Sequence, residues 1–163
     1  CYLRYGGRRD VLDLALGLGY VDHSTPFAHS APVQVEVEGV GVVEVEGLRA
    51  KPTHSLDPPQ VRFTANGAVL SHLTFHKREP QRIRVAIELI AQGLLSRAGI
   101  PHRGKRAGME LLAALAKANQ QLLAELAEAA LPFAGCWPSA ALLIDAAESQ
   151  KELIEQIGRS GSS

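Results

Sequence analysis

Among side chains able to do chemistry, the histidines carry the widest range of options, and the chain has six of them. His72 and His76 stand four apart. On a helix that spacing puts two imidazoles on one face. In the alternating pattern around them it separates the rings by roughly 13 Å, too far for one metal ion. His23, His29, His54 and His102 are scattered in loops, so no metal centre is expected. Serine chemistry of the Gly-x-Ser-x-Gly kind and phosphate binding by Gly-x-x-x-x-Gly-Lys-Ser/Thr both lack their motifs, and the isolated Gly104–Lys105 pair does not replace them. Cys1 and Cys136 show neither metal-ligand spacing nor a disulfide framework, which points to a reducing, cytoplasmic setting. Of the three tyrosines, all in the opening stretch CYLRYGGRRDVLDLALGLGYVD, Tyr5 and Tyr20 are the candidates for chemistry. A phenol held at a strand end can orient an amine and place negative electrostatic character beside a cationic centre. A second aromatic ring can wall a narrow channel.

The elements that must position these rings follow from pattern. Residues 1–5 read as a strand end, halted by Gly6–Gly7. Asp10 suits the cap of a short helix with Val11, Leu14, Ala15 and Leu18 on one face and Gly19 as its stop. A loop through STPFAHSAP follows. VQVEVEGVGVVEVE, residues 33–46, alternates apolar and acidic positions, which predicts a hairpin with covered valines, exposed glutamates and a turn near Gly39–Gly41. KPTHSLDPPQ reads as a surface loop. VRFTANGAVLSHLTF reads as a second hairpin, with Asn66–Gly67 in a type I′ turn.

From Pro80 the period becomes helical, with Ile83, Ile87, Ile90 and Leu94 in one stripe. AGIPHRGKRAG reads as a linker. The next helix, about 107–130, carries Leu112, Leu115, Leu122 and Leu126, with Asn119 interrupting at a core-facing position where a polar group sets helix register. A third, from near Ser139, places Leu142, Ala146, Leu153 and Ile157 inside, with Gly158 as its stop. Trp137 belongs to core or groove wall. The fold class is therefore α+β, with β-hairpins followed by three helices. The divisions fall at 1–30, 31–79 and 80–158, with a disordered tail at 159–163.

Composition bounds the function. Hydrophobic residues make up 46%, and 17 basic residues balance 17 acidic ones. No global charge recruits nucleic acid or an anionic membrane. No apolar run nears the ~20 residues of a membrane span. Locally, residues 77–106 hold eight Lys/Arg against two Glu, and 107–157 hold two Lys against seven acids. Solvated surface explains this, and a polar macromolecular partner is the sharper reading.

Tyr5, Gly6, Leu14, Ala15, Leu16, Gly19, Tyr20 and Val21 together resemble the closing motif of SET-domain protein lysine methyltransferases, of the type that includes the Rubisco large-subunit methyltransferase. The resemblance implies the end of a SET fold at 1–30, a β-hairpin region, and a helical lobe at 80–158 that docks a protein substrate bearing the target lysine. It implies that Tyr5 is the catalytic tyrosine, that Tyr20 lines the lysine channel where phenylalanine is usual, and that Leu18 replaces a tyrosine of the lysine site. It also implies S-adenosyl-L-methionine as cofactor, with neither nucleic acid, membrane nor metal as partner. Asp22, His23, Ser24, Thr25 and Pro26 replace the family's Asn-Pro-type turn. The family's glycine-containing cofactor loop and Asn-His motif do not occur in 1–163 and are expected before Cys1, so this segment alone is expected to be inactive. The competing expectation, from another class, is a non-catalytic helical protein-interaction module.

Overall fold

The computed structural model describes residues 8–47, 54–100 and 104–159. Tyr5, the expected opening strand, His102 and the tail from 160 onward lie outside them. The chain runs α1 (Val11–Leu18), β1 (Phe27–His29), β2 (Val33–Val37), β3 (Gly41–Val45), β4 (Val61–Phe63), β5 (Gly67–Leu70), β6 (Thr74–His76), α2 (Pro80–Arg97), α3 (Gly104–Ala130), a 3₁₀ turn (Leu131–Phe133) and α4 (Pro138–Arg159). Strands followed by helices make this an α+β fold, as the change of period at Pro80 predicts.

The 33–46 hairpin forms and turns where expected, with Val33 opposite Val45 and Val37 opposite Gly41. Val37, Val43 and Val45 are buried while Glu36, Glu38, Glu44 and Glu46 face water. β4 and β5 form the second hairpin, but Gly67 is not its turn residue. Thr64 N–H donates to Gly67 O at 2.8 Å, so Ala65–Asn66 make the turn. Gly67 instead stands opposite Val42 in a parallel β3–β5 pair. A Cβ there would overlap the carbonyl of Val42. The pairing unites both hairpins in one sheet of order β2-β3-β5-β4. β6 leaves that sheet and pairs with β1, Phe27 opposite His76 and His29 opposite Thr74. His72 thus lies in the bend between β5 and β6 and not in a strand.

The α2 stripe of Ile83, Ile87, Ile90 and Leu94 is buried throughout. α3 begins at Gly104, inside the stretch expected as a linker. Leu112 and Leu115 are buried as expected, but Leu122 is 40% exposed and Leu123 takes its place in the core. α4 buries Ala146, Leu153 and Ile157, with Leu142 half-buried. Its helix runs through Gly158, whose missing side chain admits Ala116 of α3, so that glycine is a helix-crossing residue and not a stop. Burying these stripes on one another and on the inner faces of β2, β3 and β5 forms one continuous apolar core.

Candidate functional site

α1 carries the described half of the tyrosine motif, and one buried amide, that of Gln150, holds it in place. Asp10 accepts from Asp13 N–H at 2.9 Å, and Asp13 accepts from Asp10 N–H at 3.3 Å, closing a capping box. The second carboxylate oxygen of Asp10 accepts from His29 N–H at 2.7 Å and from Gln150 Nε2 at 2.8 Å. Gln150, on α4, also donates to His29 O at 3.1 Å and accepts from Leu12 N–H at 3.2 Å. One glutamine therefore joins α1, β1 and α4. Burial pushes the Asp13 carboxyl up, and the charge of Asp10 adds to the rise.

His29 completes this hub. Its Nε2 faces Arg8 O at 3.2 Å, an acceptor only, so Nε2 is assigned the proton. Nδ1 then accepts from the Thr74 hydroxyl at 3.0 Å. Asn119 on α3 forms a second hub. Its Oδ1 accepts from Ala31 N–H at 2.8 Å, and its Nδ2 donates to Ser30 Oγ at 2.9 Å and Leu115 O at 2.9 Å. Asn119 thus fixes the chain after β1 and serves structure, as its place in an apolar stripe implies. Gln150 escaped the sequence reading. Its signal was the same, a polar residue one turn from both Ala146 and Ile154 on a buried face.

With its N-terminus so fixed, α1 ends at Gly19 in the left-handed conformation, φ 71°. Leu18 and Tyr20, on either side of Gly19, are 43% and 40% exposed. Leu18 therefore leaves the buried face expected for it, which keeps Val11 and Leu14. The loop after Tyr20 is clasped to α4, where His23 Nε2 lies 3.2 Å from Asp145 Oδ2 and Nδ1 lies 3.3 Å from Ser149 Oγ. Hydroxyl, imidazole and carboxylate meet here, but Asp145 and Ser149 sit one turn apart in mid-helix. The N–H groups there are already bonded, leaving none to stabilise an oxyanion. This cluster is a clasp.

His72 and His76 are structural too. His72 Nδ1 meets Ser71 Oγ at 2.8 Å and its Nε2 donates to Asp57 O at 3.2 Å, tying the 54–60 loop to β5. His76 stacks on Phe27 and accepts from Arg78 N–H at 3.2 Å, and burial holds its pKa below the usual histidine value. Among the described residues no three His, Cys, Asp or Glu side chains are arranged to hold a metal ion, and no helix is long and apolar enough to cross a membrane. No protein-family model, curated protein or solved structure matches the chain.

Proposed function

We propose that the chain is the closing part of a SET-domain protein lysine N-methyltransferase, in which Tyr5 is catalytic and Tyr20 and Leu18 border the lysine channel. One observation supports this most. The segment that carries the motif is anchored at its N-terminal end by Asp10, His29 and Gln150, while Leu18 and Tyr20 stay partly open at the other end. Such an arrangement suits a site wall, since a packing helix would bury both residues. A leucine and a tyrosine fit the aliphatic stem of a lysine. They offer neither a carboxylate for a ribose nor charge for a methionine head group, so these residues do not fit the cofactor. S-adenosyl-L-methionine would be held by residues N-terminal to Cys1, where it supplies the electrophilic methyl group. Methyl transfer to an amine is an in-line displacement that asks the protein chiefly for alignment. The Tyr5 hydroxyl orients the neutral amine, and the Tyr20 ring confines the stem. The helices at 80–158 dock the protein substrate, and the free thiol of Cys136 suits a cytoplasmic setting. The test is methyl incorporation from labelled donor into lysine-bearing proteins by the full-length parent. Transfer to lysine is expected, and absence of any lysine methylation overturns the reading.

A further inference from the structure

On the side of the bundle bounded by α1, the end of α3 and the start of α4 lies a groove of about 370 Å³. Leu16, Leu126, Phe133, Trp137 and Leu143 line it, and no charged side chain does. Leu16 is 68% exposed and Trp137 61%, and the rings of Phe133 and Trp137 stack with centroids 5.4 Å apart. Large side chains gathered this way in water mark an interaction surface. The charge along the α3 and α4 segments that wall it has one sign. From 118 to 150 the chain has no Lys or Arg, but it has Glu125, Glu128, Asp145 and Glu148. Glu125 and Glu128 are exposed beside Leu126 and Ala129, and α1 contributes only Asp13. The nearest described cation along the chain, Arg9, lies against Gly17. The walls are helices and the short connection from α3 to α4, with no strand among them, so no strand edge is on offer. What fits is a face of side chains.

We propose that this groove takes a basic amphipathic helix of a partner protein, its apolar residues at i, i+3, i+4 and i+7 seated on Leu16, Phe133 and Trp137 and its Lys/Arg flanks facing Glu125 and Glu128. The proposal is independent of methyl transfer. Trp137 is the sole tryptophan, so its emission reads the groove directly. The probe is a synthetic helix with leucines at that spacing and lysines elsewhere, beside the same peptide with glutamates for lysines, titrated into the full chain. The lysine peptide should give a saturable blue shift, weakened by salt, and the glutamate peptide should give none. Reversing both exposed charges, Glu125→Lys with Glu128→Lys, should weaken binding about tenfold, and Leu16→Ser should weaken it further. Both changes fall on exposed positions, and circular dichroism checks the fold. The idea fails if the two peptides bind alike, if the charge reversal changes nothing, or if no saturable shift appears. It fails equally if wild-type Trp137 emission is already blue and depends on protein concentration, since a second copy then fills the groove.

Discussion

Tyr5 and Tyr20 are chemically alike but are assigned different work, and substitution separates them. A hydroxyl acting where amine meets methyl contributes mainly in the transition state, so Tyr5→Phe in the full-length parent should lower kcat by about 10²–10³ with little change in KM. On the proposed reading Tyr20 serves through its ring, so Tyr20→Phe should be tolerated. Methyl-transfer kinetics on the two variants decide this, and a Tyr5→Phe enzyme with wild-type turnover removes the catalytic assignment. Gln150 tests the anchor of α1. Gln150→Leu keeps the volume but deprives the Asp10 carboxylate, Leu12 N–H and His29 O of a partner, and should cost about 2–4 kcal/mol in urea unfolding. The exposed neighbour Lys151→Ala should cost almost nothing. His76 gives a pH dependence. Its folded pKa is lowered, so its stabilising contribution is present above the ordinary value of about 6.5 and is lost as pH falls through the folded value. His76→Phe should therefore unfold with a flatter dependence below pH about 6.5. An unchanged slope in that window would show that His76 is not the group responsible.

Local signals were strong enough to read most elements directly. The alternation of 33–46 and the Asp10–Gly19 helix signals each concern contacts within a few residues, and both appear as the sequence implies. Leu122 and Leu18 misled because a stripe shows which residues share a face but not where the opposing element ends. α3 has 27 residues and α2 only 18, so the last two or three turns of α3 have no α2 alongside. Leu122 falls there. The helix stripes then make a graded prediction. Leu115→Ala and Leu123→Ala, both buried, should cost about 2–5 kcal/mol. Lys117→Ala and Leu122→Ala should each cost about 1 kcal/mol or less. Chemical denaturation of the four variants checks the ranking, and a Leu122→Ala loss equal to that of Leu123→Ala would mean the assigned face is wrong.

The sheet could not be read from the sequence because its decisive pairing is non-local. Each hairpin is encoded by its own turn and period, whereas β3 and β5 belong to different hairpins with the 46–60 stretch between their strands. Asn66–Gly67 looked like turn chemistry, yet the glycine serves the junction. Its Cα lies so close to Val42 that any side chain would strike backbone. Backbone cannot rotate away as a flexible side chain can, so Gly67→Ala must separate β3 from β5 and open the core at Val43, Val45 and Leu70, all buried. A loss of more than about 3 kcal/mol is expected. Gly39→Ala is the matched control. It also replaces a glycine of the sheet region, at φ 75° but with open space around its Cβ position, so it meets only the left-handed conformational cost of about 1–2 kcal/mol. Hydrogen exchange separates the two mechanisms as well as the totals. Gly67→Ala should expose the β3 amides together with those of β5, whereas Gly39→Ala should loosen the β2–β3 turn alone. If the two variants unfold at the same denaturant concentration with the same exchange pattern, the two hairpins are not joined through Gly67.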